Sequence, residues 1–115
     1  MKRASPEFQL QCAVAGHLER RRRPNVYFTA IPLGEKRNAV TGARIKRMGA
    51  KAGAPDMLVL VDGRACGLEL KAAKGRMTMH QVATRDQWRS AGGTYAVAHD
   101  IDEALELLTA WGAIL

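Results

Sequence analysis

Two apolar runs separated by Asp62-Gly63 constrain the fold of this chain more than any other feature. Met57-Leu58-Val59-Leu60-Val61 is unbroken and apolar, and Ala65 to Lys71 follows it. Asp-Gly favours the left-handed conformations of a tight two-residue turn, so the runs read as an antiparallel hairpin. Such a turn sets Val61 opposite Arg64. Counting outward along both strands then sets Asp56 opposite Glu69, in a non-hydrogen-bonded register with Cβ atoms about 4.5–5.5 Å apart. Lys71, two residues on, projects from the same face, while Leu68 and Leu70 point to the other. A turn with a glycine bulge is the alternative: it pairs Leu60 with Arg64 and moves every partner by one residue.

The flanking elements follow from caps and periodicity. Ser5 as N-cap with Pro6 at the first helical position opens a helix over 6–22, on the apolar positions Leu10, Val14 and Leu18. Pro24-Asn25 ends it, and Val26 to Ile31 is β-branched and aromatic, hence a strand. Residues 32–54 hold glycine, proline and many cations without clean periodicity. They read as a long loop, with room for a helical turn near Arg44–Met48. After the hairpin, Thr78-x-x-Gln81 fits a capping box for a helix to Ala91, stopped by Gly92-Gly93. Thr94 to His99 is a strand, and Asp100-x-x-Glu103 caps a last helix through Trp111. The order α-β-β-β-α-β-α predicts a single α/β domain over residues 1–115, a mixed central sheet flanked by helices. A right-handed parallel crossover runs between the third and fourth strands.

The charge is large and unevenly placed. The net charge is +7 in 115 residues. Arg20 to Arg23 form one basic block, and Lys36, Arg37, Arg44, Lys46, Arg47 and Lys51 a second. No acidic residue falls between 36 and 55, and after His99 the only charges are acidic. A basic part and an acidic end point to a face for a polyanion, and the second block supplies the candidate nucleic-acid contacts. No run approaches the roughly 18 apolar residues of a membrane span, and residues 1–7 lack a signal peptide's apolar stretch. A cytoplasmic protein without a membrane partner is therefore expected. Cys12 and Cys66 have no zinc-ligand spacing and read as small buried hydrophobes. Trp88 and Trp111 are expected to bury against the sheet or a partner subunit.

Two carboxylates directly opposed in a sheet repel each other, so Asp56 and Glu69 call for something that neutralises them. A divalent cation fits, with the Lys71 ammonium beside it. An ion there polarises a phosphate oxygen and activates water, and Lys71 orients the water or offsets developing charge. With a basic surface this is the chemistry of phosphodiester hydrolysis. The alternative is a non-catalytic basic DNA-binding module.

At these residues the sequence resembles the PD-(D/E)xK nucleases: Pro55-Asp56 matches the first half of their signature and Glu69-Leu70-Lys71 the second. The wider match is to the VRR-NUC family. Glu7-Phe8-Gln9-Leu10-Gln11 resembles its first-helix motif and Gly53-Ala54-Pro55-Asp56 its G-x-P-D motif. Lys74-Gly75-Arg76-Met77-Thr78-x-x-Gln81 resembles the loop after its lysine. The resemblance spans residues 5 to 111 and implies a restriction-endonuclease-like fold using Mg²⁺ or Mn²⁺. Asp56 and Glu69 would be side-chain ligands and the Leu70 carbonyl a further one. Lys71 would act on the water or the scissile phosphate, with Glu7 near the metal from the first helix and Gln81 flanking it. It also implies, for a minimal stand-alone member of bacterial or phage type, branched DNA such as four-way (Holliday) junctions as substrate, and a homodimer. Two features have bland readings: the helix dipole favours Glu7, and the capping box accounts for Gln81. The loop from Pro32 to Arg37 departs from the family's usual turn after the first strand and is expected to touch substrate.

Overall fold

The structure, a computed structural model, describes residues 5–33 and 38–115. Eight elements follow in order: α1 (Pro6–Arg21), β1 (Val26–Ala30), α2 (Ala39–Arg47), β2 (Met57–Val61), β3 (Arg64–Leu70), α3 (Met79–Ser90), β4 (Thr94–Ala98) and α4 (Ile101–Trp111). The strands form one mixed sheet in the order β1-β2-β3-β4, antiparallel except for the parallel β3–β4 pair.

The turn between β2 and β3 settles the register. Asp62 and Gly63 both have positive φ (48° and 84°), as a two-residue type I′ turn requires. Val61 therefore pairs with Arg64 and Met57 with Leu68, without a bulge. Alternation then sorts the faces. Val26, Met57, Val59, Val61, Cys66, Leu68, Leu70 and Ala98 point to one side, where they meet Val14 and Leu18 of α1 and Ala104, Leu108 and Trp111 of α4. On the other side α3 packs over β3 and β4, with Trp88 donating to the Ala65 carbonyl at 3.1 Å and lying edge-on to Tyr95. Gly67 lies beneath that contact. A Cβ there would sit 2.9 Å from the Pro55 ring and 3.2 Å from both Trp88 and Tyr95, so only glycine allows α3 this close.

Three sequence expectations are corrected. The segment read as a long loop contains a nine-residue helix, α2. Asn38 caps it by accepting from Thr41 N–H at 2.7 Å. The apolar pattern hides it because Ile45 is its only partly buried residue. Cys12 is exposed, since it lies on the open flank of α1, whereas Cys66 is buried as expected. Much of the arginine block serves the fold. Arg22 bridges to Ile114 and donates to the Val26 carbonyl at 3.0 Å, and Arg21 donates to the Leu115 carbonyl at 2.8 Å. These bonds fasten the C-terminal segment to the end of α1. Among the described residues no helix is long and apolar enough to cross a membrane.

Candidate active site

Asp56 sits one residue before β2, at the end of the sheet away from the hairpin turn. Its carbonyl accepts from Ile31 N–H at 2.8 Å and lies 3.5 Å from the Gln11 amide nitrogen, so β1 and α1 both hold it. Its carboxylate turns across to β3, where Oδ2 accepts from Leu70 N–H at 2.7 Å. The N–H and C=O of a strand residue point to the same side, so the Leu70 carbonyl also faces Asp56.

Glu69 is on the α3 side of β3 and only 3% exposed, the one buried charged side chain among the described residues. Its Oε1 accepts from Gln81 Nε2 at 2.8 Å and its Oε2 from the Tyr95 hydroxyl at 3.4 Å. Burial, then the charge of Asp56 and a hydrogen bond between the two carboxyls, push the Glu69 pKa up from 4.5 to about 8. The Lys71 ammonium and Tyr95 hydroxyl pull the other way without prevailing. At neutral pH the Glu69 carboxyl is therefore largely protonated. Burial, followed by the charge of Glu69, also drives the Tyr95 phenol well above its usual range, so it remains a neutral donor.

Gln81 has two roles that the sequence reading set against each other. Its Oε1 accepts from Thr78 N–H at 2.9 Å, which closes the capping box, and its amide donates to Glu69. The approach of α3 that allows this depends on Gly53. Its φ is +83°, and a Cβ would collide with the His80 carbonyl and the Gln81 nitrogen. The glycine of the G-x-P-D motif therefore positions the glutamine.

Lys71 follows β3 directly. Its N–H still pairs with the Ala98 carbonyl at 3.0 Å, which keeps its side chain on the face of Glu69. Glu7, in the first turn of α1, accepts from Ala72 N–H at 3.2 Å. It shares with Asp56, Phe8, Gln11 and Ile31 the lining of an open cleft of about 470 Å³ between α1 and β1. Asp56, Glu69, Leu70, Lys71, Gln81 and Glu7 thus gather at one end of the sheet. No group of three His, Cys, Asp or Glu is close enough to hold an ion by side chains alone among the described residues. Arg44, Lys46, Arg47 and Lys51 are exposed on and just beyond α2. Lys36 and Arg37 lie outside the described residues.

The sequence matches no family model, and no curated protein is a significant match. In three dimensions the chain resembles two solved structures. One, described as a "VRR_NUC domain protein", aligns with a TM-score of 0.76 at 21% identity, over 96% of this chain and 90% of that one. The other, described as a "VRR_NUC domain", aligns with a TM-score of 0.65 at 18% identity, over 92% and 97%. The chain has the VRR_NUC fold. Within this VRR_NUC fold, residues beyond those singled out in the sequence bear on the carboxylate pair. Tyr95 is the main one. No local signal reveals it, because the register of a parallel strand after a long crossover is not set by any turn. His99, bonded to the Gly75 carbonyl at 3.3 Å and to Glu103 at 3.2 Å, ties the loop after Lys71 to the end of β4. Its only trace in the sequence is the four-residue spacing to Glu103.

Proposed function

We propose that this chain is a VRR-NUC family nuclease, a metal-dependent endonuclease that hydrolyses DNA phosphodiester bonds. The observation that carries the reading is the convergence of two carboxyl groups from adjoining strands, one of them buried with its pKa raised by burial and by its neighbour. The donor set suits a hard divalent ion. Asp56 and Glu69 offer oxygens on one face, and the Leu70 carbonyl faces the same point. Mg²⁺ in phosphoryl-transfer sites is commonly held by one or two carboxylates, with water and substrate phosphate filling the remaining positions, so this set fits Mg²⁺ or Mn²⁺. An ion held there supplies Lewis-acid polarisation of a phosphoryl oxygen and acidifies water.

The chain's own residues do the rest. Gln81 and Tyr95 hold the Glu69 carboxylate in orientation, and Leu70 N–H does so for Asp56. Lys71 sets a positive charge beside the pair, where it stabilises negative charge developing on the phosphate. Glu7 fixes the backbone just after Lys71 and closes one side of the cleft. The basic residues of α2 and Lys51 hold the DNA backbone. Branched DNA, four-way junctions in particular, is the proposed substrate, and a homodimer in the cytoplasm the proposed working form, since two symmetric sites suit two duplex arms.

The test is incubation of plasmid and junction DNA with Mg²⁺ or Mn²⁺. Cleavage should appear only with the metal and vanish in Asp56→Ala, Glu69→Ala and Lys71→Ala, while binding persists. Salt-dependent binding without nicking would instead mark a non-catalytic basic module. Light scattering on a sizing column should give twice the chain mass; a monomer alone removes the dimer.

A further inference from the structure

The two faces of α2 differ in a way that the fold does not require. Helical spacing puts Val40, Arg44, Arg47 and Met48 on one stripe and Gly42, Ile45 and Lys46 on the opposite one. Only Ile45 of the second stripe is partly buried, and the stripe helps line a hollow with Leu33, Ala52 and His80. The first faces solvent. Met48 is 84% exposed and Val40 70%. Arg44, Arg47 and Met48 together line a shallow surface hollow. Among the described residues no strand or other helix packs extensively on α2, and it carries no acidic residue. Because α2 lies between the end of β1 and Asp56 in the chain, it is tethered at the catalytic end of the sheet.

A lone exposed methionine is ordinary, but one framed by two guanidinium groups is the composition of a DNA wedge. Arginines hold the phosphates while an apolar side chain enters between bases that stack poorly. We propose that α2 inserts Met48 into an opened DNA base step, with Arg44 and Arg47 on the flanking phosphates. This rests on the DNA reading above and adds how the site selects its substrate. DNA at a nick, mismatch or branch opens at little cost, whereas intact duplex resists, so the wedge favours distorted DNA close to the catalytic carboxylates.

The experiment places 2-aminopurine beside a nick and measures its fluorescence on binding in chelator, where no cleavage occurs. The wild-type chain should raise the signal several-fold. Met48→Ala should abolish most of that rise and lower the preference for nicked over intact duplex about tenfold, with the salt dependence of binding unchanged. Met48→Leu should restore both. Arg44→Ala with Arg47→Ala should instead reduce the salt slope by about two. Binding without a fluorescence rise, or a rise that survives in Met48→Ala, overturns the wedge. So does binding of α2 to phosphatidylserine vesicles that depends on Met48 while the DNA signal does not. Metal-dependent cleavage is scored separately with Asp56→Ala. Cleavage without any unstacking sinks the wedge alone, and Met48-dependent unstacking without cleavage sinks the nuclease reading alone.

Discussion

Glu69 concentrates the energetic conflict of this molecule in one side chain. Its pKa is pushed from 4.5 to about 8 on folding, first by burial and then by Asp56. The folded state therefore binds more protons than the unfolded chain between those values. The contribution is fully favourable below about pH 4.5 and is lost as pH rises through about 8. Without divalent ion, the melting temperature of the wild type relative to Glu69→Gln should fall across this window. Each pKa unit retained is about 1.4 kcal/mol, or roughly 6 °C in a chain of this size. Mg²⁺ or Mn²⁺ should reverse the trend at pH 8. Parallel melting curves for the two proteins from pH 5 to 8 would sink this account. Tyr95 supplies a second check. Its hydroxyl favours the Glu69 anion, so Tyr95→Phe should move the acidic limb of the cleavage profile to higher pH. The loss should be about tenfold near neutrality and smaller at alkaline pH, because a hydrogen bond to a charged group is worth about 1.5–3 kcal/mol. An equal loss at every pH would point to misfolding instead.

At the scale of elements, the seating of α3 on the segment before β2 decides whether Gln81 reaches Glu69. Gly53→Ala should strain a positive φ and collide with α3, costing at least about 1–3 kcal/mol in chemical denaturation. Gly42 is the control. A Cβ there meets nothing within 4 Å, and the residue is inside α2, so Gly42→Ala should leave stability unchanged or raise it by about 0.5–1 kcal/mol. Similar effects at both glycines would contradict the geometry. The same elements show what a sequence can disclose. The hairpin was readable because Asp62-Gly63 fixes the turn, and strand alternation carries that register out to Asp56 and Glu69. Caps at Ser5, Thr78 and Asp100 marked three helices because side-chain oxygens there replace missing backbone partners. The cap at Asn38 was present too, but a helix with one partly buried residue leaves no apolar period to find. Tyr95 and the arginine clasp on the C-terminal segment join positions distant in sequence, which only packing brings together.

At the scale of the whole molecule, the arginines that end α1 and the helix α2 attach at opposite ends of the sheet. β1 runs from Val26, paired with Val61 beside the hairpin turn, to Ala30, paired with Met57 beside Asp56. The arginines ending α1 therefore lie at the turn end of the sheet and α2 is tethered at the carboxylate end. Equal charge at the two ends should not contribute equally to DNA binding, because counterion release counts only cations that meet phosphates. Arg44→Ala with Lys46→Ala and Lys51→Ala should flatten the dependence of log affinity on log salt by up to about three. Arg20→Ala with Arg23→Ala removes two charges from the far end and spares the side chains of Arg21 and Arg22, which bind carbonyls of Leu115 and Val26. That pair should change the slope by less than about one half, since the Debye length at physiological salt is about 8 Å whereas the five residues of β1 between the two ends span roughly 17 Å. Anisotropy titrations of junction DNA between low and moderate salt measure both slopes. If the distal pair flattened the slope as much as the α2 set, per charge removed, DNA would have to wrap the full length of the sheet, and the cleft beside Asp56 would no longer define where it binds.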